Sequence, residues 1–185
     1  MKHDLRFIKT EQCITNSFFH LLKEQGFRKL SVIQLVKQAQ IGRPTFYQHY
    51  EDKYTLAASL MTRYRDDFQT LIAKRMSVNQ INLVLESLAQ YLINNRNQIN
   101  LLCTIQLDNG DTLMTEYEQV LKNEFTRAYQ NNMSIDRTEI PLDYATDLYA
   151  AISMVFIKHT LTTGTVNSKI VAGLNDLARN LNLSI

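Results

Sequence analysis

Arg43, Thr45, Tyr47, Gln48 and His49 crowd into one short stretch, and each ends in a group that can donate a hydrogen bond. No carboxylate lies between Arg43 and Tyr50. Phe46 and Tyr50 stand four apart, the spacing that puts two side chains on one helical face, and they read as turned inward. The donors are then left outside, on a surface that can approach a polyanion without repulsion. Arg43, at the start of the segment, suits a guanine edge or a phosphate, while Thr45 and Gln48 are short polar readers. Lys29 and Ser31, before an earlier helix, could clamp a nucleic-acid backbone from the other side. Lys53 opens a later helix, where its ammonium joins the free N–H groups of the helix end to favour an anion.

These side chains need elements to hold them. Val32, Leu35, Val36 and Ala39 recur at helical spacing and form one buried face. Gln40-Ile41-Gly42 breaks that pattern, and Pro44 suits the first turn of a new helix, where its missing N–H costs nothing. Upstream, a first helix from about Phe7 to Gln25 carries the stripe Ile14, Phe18, Leu21 and Leu22. Gly26 ends it, and Ser31 is placed to cap the second helix. The result is a three-helix head whose first helix supports the other two.

The pattern Leu35-Val36-x-x-Ala39-x-Ile41-Gly42-Arg43-Pro44-Thr45-Phe46-Tyr47-x-His49-Tyr50-x-x-Lys53 resembles the DNA-reading helix-turn-helix of TetR-family regulators. The resemblance covers about residues 8 to 60. The family usually has glycine where Gln40 stands and serine where Gly42 stands. By this resemblance Tyr47 and His49 are phosphate anchors. The full candidate set for DNA is Lys29, Ser31, Arg43, Pro44, Thr45, Tyr47, Gln48, His49 and Lys53.

Charge distribution points the same way. Residues 1–53 hold 9 Lys/Arg against 5 Asp/Glu, and the remainder holds 11 against 13, so a basic end sits on a mildly acidic body. Apolar content of 45% with 21% charge fits a globular protein, and the scarcity of Gly (5) and Pro (2) favours an all-helical one. No segment reads as a signal peptide or a membrane span, which makes the cytoplasm the expected location and a membrane partner unexpected. Cys13 and Cys103 lack metal or disulfide spacing and read as buried apolar thiols, with an oxidant- or electrophile-sensing Cys103 as the alternative. His159 reads as a core or interface residue. No catalytic motif is present, Glu116 and Glu118 point apart on a helix, and neither cofactor nor metal is expected.

The expected architecture is all-α, with a head at 1–52 and a helical ligand-binding and dimerisation body at 53–185, about nine helices in all. A long helix from Lys53 to about Arg75 carries Leu56 and Leu60 toward the head and Tyr64, Phe68, Leu71 and Ile72 into the body. Further helices are expected at 77–94, 98–107, 112–131 and 142–163, with a last one after Gly164. The resemblance implies a small-molecule cavity, for which Tyr64, Phe68, Leu88, Tyr91, Cys103, Gln106, Met114, Tyr117 and Tyr149 are candidate walls; plain core is the competing reading of such residues. It also implies a homodimer through the last two helices, with Ile152, Phe156, Ile170, Leu174, Leu177 and Leu181 at the interface. Together these imply a repressor that covers operator DNA and is released by a small molecule. The alternatives are an all-helical enzyme or carrier and a chromosome-associated DNA-binding protein without effector.

Overall fold

The computed structural model describes residues 5–77, 81–107, 110–131, 140–166, 169 and 172–173, which contain eight helices and no strand. They are α1 (Leu5–Lys29), α2 (Val32–Gln38), α3 (Arg43–Tyr47), α4 (Lys53–Ser77), α5 (Ile81–Asn94), α6 (Arg96–Leu102), α7 (Leu113–Asn131) and α8 (Leu142–Thr163). The chain forms two compact units: Met1–Arg63 with Asn100–Thr112, and Tyr64–Ile99 with Leu113–Ile185. The division drawn from the sequence follows the start of α4, whereas the compact units divide within it.

In the first unit, α1 buries Ile14, Phe18, Leu21 and Leu22 and breaks at Gly26, whose φ of 76° lies outside the helical region. One short turn follows before α2. Ser31 caps α2 in a reciprocal box: its hydroxyl accepts from the Gln34 N–H while the Gln34 side chain accepts from the Ser31 N–H at 2.9 Å. Leu35, Val36 and Ala39 are buried, and Val32 is half-buried. Asp52 caps α4, accepting from the Thr55 N–H at 2.7 Å and the Thr55 hydroxyl at 3.0 Å. Those hydrogen bonds, the backbone one foremost, hold the Asp52 carboxyl below its usual range. Within this unit α4 buries Leu56, Ala57, Leu60 and Met61.

The second unit is built on the apolar faces of α5, α7 and α8 with the rest of α4. Phe68, Ile72, Leu88, Leu92, Leu121, Phe125 and Ile157 are nearly inaccessible. α8 runs over the span expected of it, with Pro141 at its start and Gly164 ending it in the left-handed conformation at φ 71°. Arg96 caps this end. Its Nε donates to the Leu161 carbonyl at 2.6 Å and its Nη2 to the Thr162 carbonyl. A Cβ at position 164 would meet that guanidinium at 2.8 Å, a second reason for glycine there.

The structure corrects several expectations. α6 is one short helix ending at Leu102, because the chain turns through Cys103 and Thr104 instead of continuing to residue 107. Cys13 is exposed: Ile14, Thr15, Ser17 and Phe18 define the inward face of α1, and Cys13 falls outside it. His159 is exposed as well, so it is not a core residue of the single chain. Ile170, Leu174, Leu177 and Leu181 lie outside the described residues.

Candidate nucleic-acid interface

α3 is only five residues long, so its placement depends on what surrounds it. The turn before it is closed by the Ile41 N–H donating to the Val36 carbonyl at 3.0 Å, and it passes through Gln40 at φ 53°. That left-handed conformation favours glycine and disfavours a side chain. Gly42 begins α3 without a side-chain cap, and Pro44 fills its first turn. Phe46 is fully buried and Tyr50 nearly so, their rings 6.1 Å apart. Arg43, Pro44 and Gln48 are exposed, Tyr47 is 56% exposed, and Thr45 and His49 are half-buried. Among the described residues neither Arg43 nor Lys29 is ion-paired, and both are exposed.

α3 ends at Tyr47, so His49 and Tyr50 need other support, and α1 provides it. The Phe7 ring stacks on His49 with centroids 3.9 Å apart and planes 23° off parallel. One helical turn on, Glu11 accepts a hydrogen bond from the Tyr50 hydroxyl at 3.4 Å. Burial first, then the nearby Glu11 carboxylate, push the Tyr50 hydroxyl above its ordinary range and keep it a neutral donor. Sequence reading missed both supports, since contacts across 42 and 39 positions leave no periodic trace.

Two expected backbone clamps have other work in this structure. The Ser31 hydroxyl both accepts from Gln34 and donates to the Gln34 Oε1 at 2.8 Å, within the α2 cap. The Lys53 ammonium donates to three backbone carbonyls, those of Phe27, Arg28 and Leu30.

Residues 17–60 match the family model for bacterial regulatory proteins of the tetR family. The match falls on the helix-turn-helix and the helices that flank it. Solved structures carry the likeness through the whole fold. A TetR transcriptional regulator from Streptococcus agalactiae 2603V superimposes with a TM-score of 0.66 at 22% identity, over 93% of this chain and 94% of that one. A TetR-family regulator from Syntrophomonas wolfei gives 0.67 at 14% identity, over 96% and 97%. The dihydroxyacetone kinase operon activator DhaS gives 0.64 at 18%, over 94% and 98%. No curated protein matches the sequence.

The remaining candidates lie in the body, and the structure brings only some of them together. Tyr91 and Tyr117 both donate to the Tyr64 carbonyl, at 3.2 and 3.4 Å. Tyr117 is stacked on Phe68 at 4.1 Å, and both are fully buried. Leu88 is buried, Met114 is half-buried, and Tyr149 stacks instead on Phe125 at 4.7 Å. Cys103 and Gln106 belong to the other compact unit. Burial pushes the half-buried Cys103 thiol up to about 11, which makes it a poor nucleophile and weighs against a sensing role. Gln106 is exposed and donates to the Gly110 carbonyl within a turn. On α8, Phe156 is only 8% exposed within the single chain, because it faces the buried side with Ile157, while Ile152 is half-buried. The large apolar residues that α8 leaves outside are Tyr144, Leu148 and Val155.

Proposed function

We propose that this protein is a homodimeric repressor of the tetR family that covers operator DNA through Arg43–His49 and is released by a small molecule bound in its body. The observation that carries the reading is the 43–49 surface: outward donors without a carboxylate, fixed from beneath by Phe46 and Tyr50. Arg43 reads a base or anchors a phosphate; Thr45 and Gln48 meet base edges; Tyr47 and His49 meet phosphate; Lys29 adds charge from the α1 side. Dimerisation through α8 has the support of the apolar row Tyr144, Leu148 and Val155, at spacings of four and seven. The effector part rests on the resemblance alone, and α4, unbroken from Lys53 to Ser77, is the element suited to carry its signal.

Activation is a second reading, favoured by one observation: a relative of the same fold, DhaS, is named an operon activator. Selection of bound sequences from a random DNA pool, followed by reporter expression from the selected site, tests both. Repression is expected, with expression restored on deletion of the protein. Expression that falls on deletion would reverse the sign, and no sequence enrichment at all would remove the reading.

A further inference from the structure

The Lys53 ammonium is held by partners that leave it no free donor. It has three N–H bonds. They go to the carbonyls of Leu30 at 2.8 Å, Phe27 at 3.0 Å and Arg28 at 3.2 Å. The same nitrogen lies 4.9 Å from the Phe27 ring centre and 5.3 Å from that of Tyr54, and these rings meet edge to face. This half-buried cation, set against two aromatic rings and three carbonyls, has exchanged much of its water shell for protein groups. The carbonyls belong to the turn after the Gly26 break, where a helix end leaves backbone acceptors without helical partners.

The positions of the tied residues give the contact its meaning. Leu30 immediately precedes the cap of α2, and Lys53 is the first residue of α4. Everything between them is the helix-turn-helix. One side chain therefore pins the entry of that segment to its exit. α3 is too short to set its own orientation, so a tie at both ends of the segment fixes the angle at which it is presented. A phosphate contact by Lys53 would require at least one of these bonds to break.

We infer that Lys53 is a positioning residue, a latch that closes the helix-turn-helix on itself, and that it does not bind phosphate. The inference rests on the DNA-binding reading only for its consequence, the presentation of α3; the latch itself is a property of the free protein.

The test uses the full chain with Lys53→Met and Lys53→Arg. Methionine keeps an apolar stem without charge, and arginine keeps the charge in a fork that the carbonyl cage does not fit. A latch lowers the melting temperature by roughly 4–8 °C in both variants. It also leaves the slope of log affinity against log salt unchanged in Lys53→Met, although affinity falls. A phosphate contact instead lowers that slope by about 0.9 per head, ~1.8 for a two-headed complex, while Lys53→Arg retains it; that pattern would overturn the latch. The ¹⁵N-lysine spectrum of the wild-type protein gives a second readout that needs no variant to fold. The Lys53 ammonium is expected to exchange slowly with water and to keep its shift when DNA is added at low salt. A Lys53 signal that exchanges freely, or one that moves on DNA binding, contradicts the proposal. Wild-type protein that binds no DNA would remove the reading of the interface, while melting and exchange would still decide the latch.

Discussion

Phe7 and Glu11 sit one helical turn apart on α1 and hold consecutive residues, His49 by ring stacking and Tyr50 by a hydrogen bond. The imidazole thus stands on an aromatic support set by an element remote in sequence. Phe7→Ala is expected to weaken operator binding about as much as His49→Ala, and the double variant to add little, because Phe7 acts through His49. Coupling of about 0.5–1.5 kcal/mol in a double-mutant cycle is the signature, with melting curves run alongside; strictly additive effects would mean the stack has no part in binding. Arg43→Ala is expected to relax discrimination at one base pair by about 1–3 kcal/mol if Arg43 reads a base. Sequence selection with this variant checks it, and an unchanged preference assigns Arg43 to phosphate. At this scale the sequence was half legible. Which side chains of 43–50 face out followed from the spacing of Phe46 and Tyr50. What holds them did not, because Phe7, Glu11 and the carbonyl partners of Lys53 are long-range contacts without a local pattern.

Helix ends were the most legible features, since caps are made within four residues. Ser31, Gly26, Pro141 and Gly164 all stand where the helices begin or stop. α6 was overextended because an apolar run continues through Ile105, which is buried outside any helix. Asp52 offers a test with a definite sign. Its folded carboxyl titrates below the usual range, so its stabilising contribution is present above the unfolded pKa of ~3.9 and is lost as pH falls through the lower folded value. Asp52→Ala is expected to cost about 1 kcal/mol near neutrality. In acid the wild-type and variant stabilities should converge; a difference that persists below the folded value would mean the cap is not the cause. Gln40 is the element-scale exception, a side chain in a left-handed turn. Gln40→Gly is expected to stabilise the head by about 0.5–1 kcal/mol, strain relief exceeding the entropy of glycine. Denaturant unfolding checks it, and a loss of stability would show the turn is not strained.

Over the whole chain, composition and periodicity were enough for an all-helical fold with a basic head, and the tetR-family match agrees with that reading. Packing in the body was less legible. Phe68 and Tyr117 have the residue types of a ligand wall and the burial of a core pair, and type alone cannot separate the two. Type does not separate inside from outside on α8 either: Phe156 and Val155 are neighbours in sequence, yet one is buried and the other 63% exposed. Val155→Asp should accordingly give monomers in sedimentation if α8 pairs with its copy, because an aspartate there would be buried without a partner. An intact dimer would place the interface elsewhere. The 43–49 surface, together with Lys29, is expected to bind DNA largely through phosphates. If Arg43 and Lys29 of each head each neutralise one phosphate, a dimer neutralises about 4, and operator affinity falls ~10²-fold between 50 and 200 mM salt. Titrating the selected operator across that range is the most direct measurement: a steep linear loss of log affinity with log salt is expected, and affinity indifferent to salt would contradict the claim.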